Sequence, residues 1–217
     1  MDEAKITVLK NGPLRVQNAK RLIQSKGEDL PCSSDFALCR CGWSSKKPYC
    51  DGSHIKNGFS GKNTEKNLRN ITIAYKGKEI TIYDNRNICS HAGYCTGELP
   101  SVFTWDMPWI DPDGDTVEKI IAICEKCPSG ALSYSIDGGE RIFGSVENDL
   151  MIRVVGRQSQ GPYVITGRVR IEGQIDRQPE TPDKMVLCRC GRTKNKPYCN
   201  GDHRFTGEDE EIEKNDD

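Results

Sequence analysis

Histidine is scarce in this chain, with three residues in 217, and neither sign of charge is in excess: 31 Lys and Arg stand against 32 Asp and Glu, for a net charge of −1. That balance leaves no electrostatic footprint for a nucleic-acid partner. No apolar run approaches the ~20 residues a membrane-spanning helix needs. Hydrophobic residues make up 35% of the chain and aromatics 7%, and the mean hydropathy is −0.66, so the apolar core is thin for the length. Small domains with thin cores are usually stapled. What the chain does have is cysteine, eleven in all. The odd count, the CxC spacings and the lack of a signal-peptide pattern favour metal ligands in a reducing, cytoplasmic setting over disulfides.

The histidines fall among the thiols. The stretch from Cys39 to His54, CRCGWSSKKPYCDGSH, returns from Cys188 to His203 as CRCGRTKNKPYCNGDH. Ten of the sixteen positions are identical, including Cys39, Cys41, Cys50 and His54 and their counterparts Cys188, Cys190, Cys199 and His203. Three thiols and one imidazole at fixed spacing are a metal-ligand set, here present twice. A structural Cys3His zinc site is one chemistry this set can serve, although CxC is less usual than CxxC in zinc knuckles. The third histidine, His91, lies inside CSHAGYC, so none is left over for general acid-base work. A non-enzymatic protein is the expectation.

The repeat reaches upstream of the ligands. Gly12-Pro13 lies 27 residues before Cys39 and Gly161-Pro162 lies 27 before Cys188, so residues 12–54 align without a gap to 161–203. One module is used twice. Residues 5–9 alternate as a strand, a second short strand is expected around Leu14 to Val16, and residues 17–35 read as loop with at most one short strand. Cys39 and Cys41 are expected on an extended segment, where i and i+2 share a face. Asp51 or Ser53 is placed to cap a short helix carrying His54. Between the modules, Ile71, Ile73 and Tyr75, then Ile80 and Ile82, alternate around Lys76-Gly77-Lys78 as a β-hairpin. After Asp115-Thr116, a good cap, Val117, Ile120, Ile121 and Cys124 mark one face of a helix. Leu132, Tyr134 and Ile136 form a closing strand.

Cys89 and Cys95 occupy the outer positions of a bacterial-ferredoxin Cys-x2-Cys-x2-Cys run, Ala92 stands where the middle thiol belongs, and Cys127-Pro128 supplies the distant Cys-Pro. Losing one thiol favours a 3Fe-4S cluster on three cysteines, or a 4Fe-4S cluster whose fourth iron takes another ligand. His91 and Cys124 are the candidates for that ligand or for neighbours of the cluster, and Cys124 also suits the apolar face of its helix.

CxC, eight residues, then Cys-Asp-Gly-Ser-His at 39–54 resembles the CDGSH iron-sulfur domain family of mitoNEET type. The resemblance implies two 2Fe-2S clusters, one on Cys39, Cys41, Cys50 and His54 and one on Cys188, Cys190, Cys199 and His203. The second copy departs from the pattern at Asn200 and Asp202. CDGSH domains pair through a swapped β-rich cap, which implies an intrachain pseudo-dimer and a monomer. The stretch CxHxGxC, the run at 108–114 and CPSGAL at 127–132 are similar to the divergent mono-cluster ferredoxin family. The expected organisation is α+β, with CDGSH-type modules at 1–66 and 141–207, an inserted ferredoxin-like α+β domain at 67–140 and an acidic disordered tail at 208–217. Cys32 faces Thr181 in the alignment and is read as incidental. The expected function is electron transfer with redox partner proteins. The alternatives are cluster transfer to apo-acceptor proteins, redox sensing, and a zinc-stabilised binding module.

Overall fold

The computed structural model describes residues 3–63, 71–144, 146, 150–154, 161–179, 181 and 183–205; the expected acidic tail lies outside them. The first module contributes β1 (Lys5–Val8), β2 (Leu14–Gln17), β3 (Arg21–Ile23), β4 (Asp29–Leu30), β5 (Asp35–Leu38) and a short helix, α1 (Ser53–Lys56). The central domain holds β6 (Ile73–Lys76), β7 (Ile80–Asp84), α2 (Tyr94–Glu98), α3 (Val117–Lys126) and β8 (Leu132–Ile136). The second module holds β9 (Met151–Val154), β10 (Tyr163–Thr166), β11 (Arg170–Gly173) and β12 (Lys184–Leu187). The strands β2, β3 and β5 recur as β10, β11 and β12, as the repeat requires.

The two modules exchange strands. One sheet runs β11-β1-β2-β5, with β11 of the second module parallel to β1 of the first, Ile6 opposite Ile171. The other runs β12-β10-β9-β3-β4, with β3 parallel to β9, Leu22 opposite Ile152. A single core of Ile6, Leu14, Val16 and Leu38 with Ile152, Tyr163, Ile165 and Leu187 therefore serves both modules. Strand exchange answers the thin composition, because neither module carries enough apolar surface to close a core alone.

Residues 17–35 hold two strands, β3 and β4, where loop with one short strand or turn was expected, and Leu22 and Ile23 are buried. On one side β3 pairs with the two-residue β4, Leu22 opposite Leu30, and on the other with β9 about 130 residues away, so the pairing that ties it into the larger sheet has no local signal. The CxC pair was expected on extended chain; β5 ends at Leu38, a single antiparallel bridge joins Leu38 to Tyr49, and the chain bends from Cys41 into Gly42, which has φ 85°.

In the central domain the antiparallel sheet β6-β7-β8 packs with α3 around Ile80, Ile82, Phe103, Ile120, Cys124 and Tyr134. The hairpin and closing strand fall where alternation put them. On α3, Ile120, Ile123 and Cys124 are buried while Val117 and Ile121 sit at the edge of the core. Thr116 occupies the N-cap without a side-chain capping bond, and Asp115 Oδ1 instead accepts from the Thr116 amide at 2.7 Å.

Candidate metal centres

In each module the same backbone bonds bring four ligands together. The amide of Cys39 donates to the Pro48 carbonyl at 2.8 Å and that of Cys50 to Ala37 at 2.9 Å; Cys188 and Cys199 make the matching bonds to Pro197 and Val186. Cys39 Sγ then lies 3.5 Å from Cys41 Sγ, and Cys50 Sγ lies 3.4 Å from His54 Nδ1. The second module repeats this with Cys188 and Cys190 at 3.6 Å and Cys199 and His203 Nδ1 at 3.4 Å. Two thiolates on one tetrahedral metal atom, with bonds of ~2.3 Å, stand ~3.7 Å apart, and a thiolate and an imidazole ~3.5 Å apart. Each pair thus has the bite of a single metal atom. Among the described residues, no group of three or more His, Cys, Asp or Glu side chains closes around one ion. The quartets are adjacent pairs, and in each the histidine atom that faces the cysteine sulfur is Nδ1.

The residue between the CxC thiols was missed as functional, although it is arginine in both copies. Arg40 is 3% exposed; its Nε donates to the Gly12 carbonyl at 2.6 Å and its guanidinium stacks over Phe59. Arg189, 2% exposed, donates to the Gly161 carbonyl at 2.7 Å. Each arginine ties its ligand turn to the Gly-Pro that opens the repeat and holds positive charge beside anionic ligands. Burial lowers the Arg40 guanidinium to about 10, while Cys188 and Cys41 act to raise it.

The two ligand turns also touch each other. A Cβ on Gly42 would stand 2.6 Å from the Cys190 carbonyl oxygen, and one on Gly191 would stand 2.6 Å from that of Cys41. With φ of 85° and 78°, both positions require glycine twice over. Tyr163, fully buried, donates from its hydroxyl to the Cys39 carbonyl at 2.7 Å and the Pro48 carbonyl at 3.0 Å.

In the central domain Cys89, Cys95 and Cys127 line one cavity of about 220 Å³, together with His91, Asp84 and Arg86. A single water needs only ~10–15 Å³ on this measure, so the space accommodates a polyatomic group. Cys95 rides on α2, a helix absent from the sequence reading, whose start follows the left-handed Gly93 at φ 82°. His91, also left-handed at φ 55°, reaches the cavity wall. Cys124 does not line the cavity but packs in the core at 0% exposure. Arg86 Nη1 donates to Cys89 Sγ at 3.5 Å and its guanidinium covers Trp109. Cys32 is partly buried against the shared core and near Tyr49, and does not line the central cavity.

Burial works against the thiolate form at several of these cysteines. Burial pushes Cys41 and Cys89 up to about 11 and Cys199 up to about 12. Within the Cys188–Cys190 pair the shared hydrogen bond raises one thiol and lowers the other, so the pair keeps one proton between them. The charge that displaces these protons has to come from metal, and the chemistry of the donor set, soft sulfur with imidazole, fits iron or zinc.

Residues 11–55 and 160–204 match the family described as iron-binding zinc finger CDGSH type, and residues 75–137 match the family described as divergent 4Fe-4S mono-cluster. The two CDGSH matches lie in the same register as the internal repeat. The uncharacterized protein YjdI of Escherichia coli strain K12 is 39% identical over 61 residues, which cover 28% of this chain and 80% of that protein. YjdI of E. coli O157:H7 matches to the same extent. No solved structure matches.

Proposed function

Because this chain belongs to the CDGSH iron-sulfur proteins and carries a divergent 4Fe-4S mono-cluster domain between its two CDGSH modules, we propose that it is a multi-cluster electron-transfer protein rather than an enzyme. The observation that carries this reading is the pairing of ligands. Cys39 with Cys41 and Cys50 with His54 each have the spacing of one metal atom's ligands, which suits a binuclear 2Fe-2S cluster better than a single zinc ion. Cys188, Cys190, Cys199 and His203 support a second such cluster. Cys89, Cys95 and Cys127 would hold a 3Fe-4S cluster, or a 4Fe-4S cluster completed at His91. Bound iron-sulfur clusters supply reversible one-electron exchange. The chain sets how readily: imidazole in place of thiolate raises the potential, and Arg40 and Arg189 place fixed positive charge beside the ligands. A monomer in the cytoplasm, exchanging electrons with redox partner proteins, is the setting this reading takes.

The test is iron and sulfide quantitation with EPR on anaerobically purified protein, followed by repeated reduction and reoxidation. Undiminished absorbance over several cycles is expected. Protein holding zinc and no sulfide would end the proposal. Acid competes with metal for the imidazole nitrogen, so acidification should bleach the CDGSH absorbance, and His54→Cys with His203→Cys should make it acid-resistant; unchanged acid sensitivity in the double variant removes the histidine ligands.

A second reading, cluster transfer to an apo-acceptor, draws on the first module, where Cys50 and His54 are both partly exposed. Faster delivery to an apo-ferredoxin from one oxidation state than from the other would favour it over electron transfer.

A further inference from the structure

The central domain is seated on the second module, and the segments that carry their ligands meet. Asn195 Nδ2 donates to the Asn87 carbonyl at 2.7 Å, two residues before Cys89. The buried Lys184 donates from Nζ to the Glu125 carbonyl at 2.9 Å, two residues before Cys127. A Cβ on Gly201 would fall 2.3 Å from His91 Cδ2, so the imidazole of the central cavity rests on the backbone between Cys199 and His203. Arg204, which follows His203, forms part of the cavity wall. On its other side the second module's nest meets the first through Gly42 against Cys190 and Gly191 against Cys41.

We propose that the three centres form a linear series with the second module's centre in the middle. The junction toward the central site is His91 on Gly201, and the junction toward the first module is the Gly42–Gly191 contact. The inference rests on the iron-sulfur reading and adds an order to it. The step is a single-electron transfer in which the central centre is oxidised by one electron and the second module's centre is reduced by one. No bond forms or breaks. The electron enters from a one-electron donor, dithionite in the test below.

The test uses the full-length holoprotein, with iron and sulfide counted first and the EPR relaxation of the central signal followed during stepwise reduction. Cys50→Ser deletes the first module's cluster and is expected to leave that relaxation as in the unaltered protein. Cys199→Ser deletes the second module's cluster and is expected to slow it severalfold. Equal effects, or the reverse order, overturn the series. His54→Cys provides an arm that deletes nothing: it lowers the first cluster's potential, so a poise exists at which that cluster is oxidised and diamagnetic. Fast central relaxation should persist there, and its loss overturns the order. Gly201→Ala has to displace His91 and should weaken the coupling at full iron and sulfide content; undiminished coupling removes this junction. Absence of sulfide throughout would instead count against the iron-sulfur reading itself.

Discussion

In the first CDGSH module Cys50 and His54 are partly exposed, and Trp43 beside the CxC pair is 52% exposed. In the second, Cys199 is 2% exposed, Gly201 is covered by His91, and Asn195 is spent on the central domain. The ligands, their spacing and the backbone bonds that gather them are alike in the two copies. The surroundings are not. A repeat therefore fixes what a site can bind, while the partner packed against it fixes what can reach the bound group. The first nest is open at its third cysteine, and the second is covered there by the central domain at Cys199 and Gly201, while His203 stays partly exposed as His54 does.

The largest test of this contrast is metal removal. Metal bound at structural sites of small domains stabilises them by about 10–16 kcal/mol in apparent terms, and one thin core serves both modules here. An iron chelator should strip the first module quickly and the second slowly, and cooperative melting should disappear once both are empty. Absorbance decay in two phases, with the fast one missing in Cys50→Ser, is the measurement. A single phase breaks the comparison, and apoprotein that melts as high as the holo form removes the coupling of metal to folding.

That Cys39 meets Cys41 and Cys50 meets His54, that the second module repeats this, and that Cys89, Cys95 and Cys127 share one cavity were legible in the sequence because metal geometry limits spacing, and so short motifs carry it. The hairpin and α3 were legible because their apolar periods are local. What escaped was everything decided across long separations. Leu22 and Ile23 were lost in a polar stretch because their local partner β4 is only two residues long and the strand that joins them to the larger sheet comes from the other module. Tyr163, whose hydroxyl serves the Cys39 and Pro48 carbonyls, aligns with Leu14 and so carried no repeat signal. Arg40 and Arg189 did carry one, as identical residues between identical ligands, and only their burial reveals its meaning. The seat of the central domain on Gly201 had no signature, since the glycine is shared with the exposed copy.

That shared glycine gives a test of middle size. Gly52 and Gly201 occupy the same motif position with φ of 87° and 86°, yet a Cβ on Gly52 meets nothing within 4 Å while one on Gly201 collides with His91. Alanine in the left-handed region costs about 1–2 kcal/mol, which should be the whole effect of Gly52→Ala. Forcing a side chain into a packed contact adds about 1–3 kcal/mol, so Gly201→Ala should be the more destabilising in denaturant unfolding of the holoprotein. Equal losses would mean that the central domain does not press on the second nest.

The smallest expected effect separates the modules at the position beside the third cysteine. Asp51 accepts from the Ser53 amide at 3.0 Å and from the Ser45 amide and hydroxyl at 2.8 Å each. Hydrogen bonds from Ser53 and then Ser45 hold its carboxyl well below the usual carboxylate range. A depressed carboxyl stabilises the fold above the ordinary range and loses that contribution only as pH falls through the folded-state value, so at neutral pH all of it is present. In the second module Asn200 accepts from the Asp202 amide at 3.3 Å, and Lys194 stands where Ser45 would supply a hydroxyl. Asp51→Asn should therefore hasten iron loss from the first module modestly at neutral pH, read as a faster first phase under chelator. Asn200→Asp adds a carboxylate where position 194 offers a flexible ammonium in place of the Ser45 hydroxyl, so it should slow the slow phase only slightly, and Lys194→Ser added to it should slow that phase further. A slow phase lengthened as much by Asn200→Asp alone would show that the charge matters more than the hydroxyl that holds it.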